Sequence, residues 1–568
     1  MNRKITGAIV AALSVLGCTG QKDIIGTRAG ALDDALWKES EWIAAADAPV
    51  VKEPVKGNNE RSADGASWFV SDVMNPEKVE KAVWMTTGLG VYRIFLNGTE
   101  VGNEFLKPGF THYEKTRLSF TYDITDAFKK GSGELNRLSA QVTPGWWADK
   151  IITPSGHDGM IGSKPAFRGV LQLTFADGSV QNFGTNLTDW KAGIAGPVTH
   201  ASIFDGEEYD ARIPQVYLTP EKLGVPEKFD EFKGNIFPSD GAEVYLRRDL
   251  TLKPQTAYVW KDVENAKENE YGKVVIAREY APGKEMTVEA GENLVLDFGQ
   301  NTAGVPEFEF SAAEGTVLTF LPSEILNDGN GAVSRGMDGP EGSIHRTNLR
   351  AHNIGIRLIY TFGADKGFVT YHPCSTFFGY RYASLSATAP VKIRSIVTIP
   401  VSSITKELET GTLTTGNALI NRLISNTVWG QRSNYLSVRT DCPQRNERLG
   451  WTADTQVFAE TGSFFANTDS FFHKWTRDLR DTQTELGGFP GVAPFAQYGA
   501  APSEMMRVGW ADAGVIVPWV VWKQFGDNSI VDENWEAMER FMTHVNETKY
   551  DHAALAAENG NDQYADWL

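Results

Sequence analysis

Leu118-Ser119-Phe120-Thr121-Tyr122-Asp123-Ile124 carries an apolar side chain at every second position. Successive side chains of a strand point to opposite faces, so this stretch predicts a strand with one buried and one wet face. Hairpin signals lie on both sides of it. Tyr92, Ile94 and Leu96 run into Asn97-Gly98 and on to Val101, and Asn-Gly accepts the positive φ angles of a two-residue turn. Leu171, Leu173 and Phe175 run into Asp177-Gly178, then Val180 and Phe183. Hairpins repeated through residues 66–215 predict an N-terminal β-sandwich domain.

A linker is expected over 216–239, and a second β-domain over 240–400. Leu294, Leu296 and Phe298 fall at period two with Val295 between them. Thr316, Leu318 and Phe320 alternate between Gly315 and Pro322, and Phe368, Thr370 and His372 lead towards Tyr380 and Tyr382. The period changes near residue 405. Ile420, Leu423, Ile424 and Val428 follow helical spacing, as do Phe472, Trp475 and Leu479, and Trp535, Met538, Met542 and Val545. Eight of the 16 Trp residues lie beyond residue 405, so 405–568 reads as a Trp-rich helical domain behind two β-domains.

Composition bounds the function. The chain has 568 residues, too many for one ordinary domain. Lys+Arg is 54 against Asp+Glu 72, a net charge of -18 that repels phosphate backbones and argues against a nucleic-acid partner. Three cysteines exclude a disulfide scaffold; Cys374 and Cys442 are expected as buried free thiols. At the N-terminus, Arg3 and Lys4 precede an apolar run from Ile5 to Leu16, too short to span a bilayer and suited to an export signal. The run closes on Gly17-Cys18, which resembles a bacterial lipoprotein signal. Residues 1–17 would then be removed, Cys18 lipidated, and 18–65 left as a tether and N-terminal segment. This implies an exported lipoprotein held at the cell envelope, periplasmic or surface-facing, touching the membrane through its lipid anchor only. The bland alternative is an ordinary signal peptide with an incidental Cys.

Phosphate-loop, Cys-x-x-Cys, His-Glu-x-x-His and Gly-x-Ser-x-Gly patterns are absent, so neither a metal nor another cofactor is expected. The densest chemical cluster is Asp441-Cys442-Pro443-Gln444-Arg445-Asn446-Glu447-Arg448-Leu449-Gly450-Trp451-Thr452-Ala453-Asp454. Glycosidic cleavage needs one carboxylic acid to protonate the leaving oxygen and a second carboxylate to activate water or attack the sugar. Carboxylates and Arg hold hydroxyls by charge-assisted hydrogen bonds, and an indole offers a face to ring carbons. A charged surface loop with internal salt bridges is the alternative.

That stretch resembles the signature of bacterial α-L-rhamnosidases, glycoside hydrolase family 78. The usual pattern has Asp at the position of Asn446 and Gly at that of Ala453. Asn97-Gly98, Lys107-Pro108-Gly109-Phe110-Thr111, Gly206 to Arg212, Asp297-Phe298-Gly299-Gln300-Asn301, Phe377 to Tyr382, Gly509 to Ala513 and Asp566-Trp567-Leu568 extend the likeness over roughly residues 37–568. The resemblance implies β-sandwich domains followed by an (α/α)6-barrel catalytic domain, and an inverting enzyme that releases terminal L-rhamnose from plant polysaccharides or glycosides. It makes Glu447 the general acid, with a pKa raised by burial or by Asp441 and Asp454. Asp441, Arg445 and Asp454 would bind rhamnose hydroxyls; Trp451, and with it Trp510 and Trp567, would wall the pocket.

The family's general base is a Glu from the later barrel, and the helix count here supports about half of twelve, so the chain reads as a fragment, truncated at its C-terminus and inactive as it stands. Glu504 and Glu558 stay open as substitutes. Two rival readings remain: a non-catalytic sugar-binding lipoprotein, and an inverting enzyme on the same barrel acting on another sugar. The accessory motifs have blander readings: Asp297 to Asn301 a turn, Tyr209, Asp210 and Arg212 a domain interface, Trp146 and Trp147 core.

Overall fold

The computed structural model describes residues 24–50, 65–149, 151–152, 158–159, 161–239, 241–268, 270–328, 338–349, 355–364, 367–445, 447–495 and 507–547. The expectations for the signal, Cys18, Asn446, Glu504, Glu558 and Trp567 lie outside these residues.

Two sheets form the N-terminal sandwich. One has eight strands and includes Val79–Leu89, Thr116–Asp123 and Ala166–Phe175; the other has five, including Ser67–Met74, Val91–Leu96, Leu135–Thr143 and Trp190–Ile194. Their inner faces meet through Phe69, Trp84, Tyr92, Ile94, Phe120, Leu138 and Leu171. Both expected hairpins form. Leu96 pairs with Thr99 across Asn97 and Gly98, both at positive φ, and Thr174 pairs with Val180 across Asp177-Gly178.

The expected wet face of Thr116–Asp123 is covered: Ser119 and Thr121 are buried with their apolar neighbours. Segments assigned to tether and linker do part of this work. Thr27–Arg28 pairs with Tyr122–Asp123, Asn235–Pro238 pairs in parallel with Thr116–Ser119, and Ile43–Ala44 pairs with both Phe167–Ala166 and Lys228–Glu227. Trp37, on the 3-10 turn Asp34–Glu39, packs over Met85 and Val170 on the outer face of the larger sheet. Burying Trp37 and Trp42 ties the segment down.

A thirteen-stranded sheet system forms the second β-domain. Its spine is the long strand Asn293–Ala312, antiparallel to Phe378–Ala387 and Val391–Ser402. Val198–Ser202 and Gly206–Asp210, read as part of the first domain, belong here, because Gly206–Asp210 pairs in parallel with Arg357–Thr361. Asp297 to Asn301, read as a turn, is instead a bulge inside the spine. Asp297 pairs with Tyr382 and Thr302 with Tyr380, so four residues loop out opposite Arg381. Asp297 accepts two hydrogen bonds from Arg381, at 2.7 and 2.8 Å, and Gly299 takes a φ of 76°. Asp210 and Arg212 form a surface ion pair at 2.6 Å rather than a domain contact.

Five helices are described in the C-terminal block: α1 (Ala418–Asn434), α2 (Thr452–Phe465), α3 (Asp469–Thr482), α4 (Ala513–Phe525) and α5 (Ser529–Glu547). The Asn417 side chain caps α1 by accepting from the backbone N–H groups of Leu419 and Ile420. Its apolar stripe is only partly used: Leu419, Ile420 and Leu423 are exposed. On α5 the buried face is Ile530, Asn534, Ala537 and Phe541, while Trp535 and Met542 face outward.

One apolar core joins all three regions. It runs from Phe110 and Trp146 through Val305, Phe377 and Ile399 to Tyr435, Phe472, Trp475 and Val517. Trp146 stacks on Phe110 with centroids 5.7 Å apart, as core rather than as an exposed platform. Gly109, in the Lys107–Thr111 motif, sits where a Cβ would overlap the Ser437 hydroxyl, and the Phe110 N–H donates to that hydroxyl at 2.9 Å. Beside it the buried Lys474 ammonium on α3 donates to the carbonyls of Phe110 and Ser437 and to Asp478 at 2.8 Å. Removing one partner of a buried ion pair strands the other charge. Lys474→Ala is therefore expected to cost about 3–5 kcal/mol in urea unfolding, and Lys474→Met with Asp478→Leu distinctly less. An equal loss in both would refute the pair as the cause.

Candidate active site

The chemical cluster is a loop closed on itself. The Asp441 N–H donates to the Leu449 carbonyl at 3.0 Å, and the Leu449 N–H returns a bond to Asp441 Oδ1 at 3.0 Å. Arg448 is the plug that fixes it. Its backbone takes a φ of 48°, and its buried side chain donates through Nη1 to the carbonyls of Ile203 at 2.7 Å and Phe377 at 3.1 Å. The guanidinium carbon lies 4.3 Å from the Phe377 ring centroid. Gly450 then pairs with Ala493, whose N–H donates to its carbonyl at 2.9 Å; a Cβ there would overlap the Ala493 oxygen. Trp451 occupies the N-cap of α2.

These constraints gather Asp441, Arg445, Glu447 and Trp451. Glu447 is 5% exposed. Arg445 donates to its Oε2 through Nε at 3.1 Å and Nη2 at 2.8 Å, and the Trp451 indole N–H donates to Oε1 at 3.0 Å. Arg445 also lies 3.9 Å from Asp441. Burial and the neighbouring Glu447 carboxyl push the Asp441 pKa up to about 7. Trp510, on the turn before α4, meets Trp451 across Gly491. A Cβ on Gly491 would lie 3.6 Å from one indole and 3.8 Å from the other. Asp454 is not drawn into this group by any direct bond; it stands exposed in the first turn of α2, 3.6 Å from Arg439.

Among the described residues, two side-chain groups have the spacing of metal ligands. Asp441, Cys442 and Glu447 offer atoms within 4.8 Å of one another, but burial pushes the Cys442 thiol far up, away from the thiolate a metal takes. Asp469, His473 and Asp527 form the second group. There burial opposes the charged imidazole, yet the hydrogen bonds that His473 donates to Asp527 and Glu533 hold its pKa above the ordinary value. Cys442 is a buried free thiol, as expected.

Three residues beside the loop escaped the sequence reading. Arg448 looked like one more loop charge. Glu324, in the second β-domain, accepts from the Asn301 amide at 2.8 Å. Burial pushes its pKa up against the pull of Asn301, Arg445 and Gln444, which places it beside the loop. Gly379 has no room for a Cβ against the Gln444 backbone, so the two segments touch directly.

Three family models match in chain order. They are the α-L-rhamnosidase N-terminal domain over residues 77–222, the bacterial α-L-rhamnosidase concanavalin-like domain over 286–402, and the bacterial α-L-rhamnosidase 6 hairpin glycosidase domain over 408–568. The chain belongs to the bacterial α-L-rhamnosidase family. An α-L-rhamnosidase from Streptomyces avermitilis is 33% identical over 497 residues, which covers 87% of this chain and 42% of that protein. One from Formosa agariphila is 28% identical over 543 residues, 95% and 52% of the two lengths. A crystal structure of the Streptomyces avermitilis enzyme complexed with L-rhamnose aligns at TM-score 0.68 with 29% identity, over 85% of this chain and 42% of its own. The Aspergillus terreus enzyme aligns at TM-score 0.72 with 26% identity, over 89% and 52%. The chain thus spans about half the length of these relatives, and the order of β-sandwich domains before a helical glycosidase domain is the family's order.

Asp441 gives the site a pH signature. Its folded pKa of about 7 exceeds its ordinary 3.8, so the folded chain holds the proton more tightly than the unfolded chain. Stability from this group is present at low pH and lost as pH rises towards 7; Asp478, raised to about 6, acts in the same direction. Asp441→Asn is expected to flatten the fall in melting temperature between about pH 4 and 7. An unchanged slope would refute the assignment.

Proposed function

We propose that the protein is an exported α-L-rhamnosidase that releases terminal L-rhamnose from plant polysaccharides or glycosides by an inverting reaction. The observation that carries this reading is the buried Glu447 carboxyl, held between the Arg445 guanidinium and the Trp451 indole in the loop of a glycosidase-family domain. A relative's crystal structure holds L-rhamnose.

In this reading Glu447 is the general acid. Arg445 turns from Glu447 to a sugar hydroxyl as substrate enters, freeing the carboxyl to donate its proton to the departing oxygen. Asp441, within 4.8 Å, supplies the reserve proton and a second hydroxyl contact. Asp454 binds a further hydroxyl at the rim, and Trp451, Trp510 and Trp567 pack on the apolar side of the sugar. Inversion needs a second carboxyl roughly 6.5–9.5 Å from the acid, with water between. Asp441 is too near for that role. Lipid anchoring through Cys18 rests on Arg3, Lys4 and the apolar run that follows.

Glu447→Gln is expected to lower turnover of an aryl α-L-rhamnoside by roughly 10³-fold in the active enzyme, with a smaller change in sugar affinity. Full activity in that variant would remove Glu447 from the role. Cys18→Ser is expected to move the protein from the membrane fraction of the native cell to the soluble one; persistence with the membrane would sink the anchor.

A further inference from the structure

The spine bulge of the second β-domain faces α1 across an open cleft of about 380 Å³. Its walls are Asn301 on the bulge, Glu324 and Arg381 beside it, and Arg422, Asn426 and Trp429 on α1. The last three recur at i, i+4 and i+7, the spacing of one helix face. The cleft also reaches Pro443, in the loop that carries Glu447.

We propose that this cleft is a second sugar subsite, which takes the glycosyl unit bonded to the departing oxygen. The proposal rests on the glycosidase reading of the Glu447 site and adds the class of leaving group. A cavity of this size lies within the usual range for small-ligand sites, roughly 300–1,000 Å³. Its lining suits a pyranose. Amides, a carboxylate and guanidinium groups provide donors and acceptors together, as vicinal hydroxyls require. Trp429 supplies one apolar wall. Its orientation is set by Arg432, whose guanidinium lies 4.9 Å from the ring and is itself fixed by Glu409 at 2.7 and 2.8 Å. A flat phenolic group would want apolar walls on both faces, and the cleft has a single indole. Continuity with the acid runs through Glu324, which lines the cleft and feels Arg445, the residue bonded to Glu447.

The test is titration calorimetry of the whole chain with L-rhamnose and with a rhamnosyl-glucose disaccharide. The disaccharide is expected to bind about tenfold tighter than L-rhamnose, and Trp429→Ala to erase that advantage without changing L-rhamnose affinity. Asn426→Ala, at an exposed helix position, is expected to reduce it several-fold and guards against a folding artefact at Trp429. Equal affinity for the two sugars, or an advantage that survives both substitutions, would overturn the subsite. Failure of L-rhamnose to bind, with disaccharide affinity that still depends on Trp429, would overturn the Glu447 reading and leave the subsite standing. Binding of neither sugar would overturn both.

Discussion

A guanidinium buried without a carboxylate at bonding distance organises this molecule. Taking Arg448 out of water is costly, and burial pulls its pKa down to about 10 against the opposing pull of nearby negative groups. The cost is offset by two carbonyls of the second β-domain, by the Phe377 ring, and by Asp205 and Asp149 acting through space. Those acceptors lie in segments more than 70 residues away in sequence, so the shape of the loop depends on the sheet. Lys474 makes the matching demand on the N-terminal sandwich. The β-domains are therefore walls of the candidate site and not appendages to it.

Within that frame the loop concentrates acidity. Two carboxyls share a confined space with a single guanidinium, and like charges so close resist being ionised together. Asp441 carries the resulting upward shift, while Arg445 and the Trp451 indole address Glu447. Sequence spacing alone does not show which of the two carboxyls the guanidinium holds.

The sequence made the local periodicities plain. Leu118 to Ile124 is a strand, Asn97-Gly98 turns a hairpin, and the helical spacings beyond residue 405 mark helices. Faces were harder. Ser119 and Thr121 alternate as if wet and are covered by distant segments; Leu419 and Leu423 are apolar and exposed. Period reports which residues share a side, whereas burial depends on what arrives from elsewhere in the chain. The candidate site shows the same division. Asp441 to Trp451 stood out as a dense run of chemistry, and the fold does gather Asp441, Arg445, Glu447 and Trp451. Glu324 left no local trace, because its relevance comes from a sheet register that brings it beside Arg445. The Asp297 to Asn301 stretch read as a turn, and the positive φ of Gly299 that would suit one serves a bulge equally well.

That bulge bears on how such proteins diversify. The pairs Asp297–Tyr382 and Thr302–Tyr380 clamp it at both ends, so the strand keeps its register whatever lies between them. Residues inserted or deleted around Gln300 would reshape the rim of the cleft, provided that Phe298 keeps its place against Tyr380 in the core. Selection can therefore adjust this edge in small steps while the Asp441 to Trp451 loop is held constant.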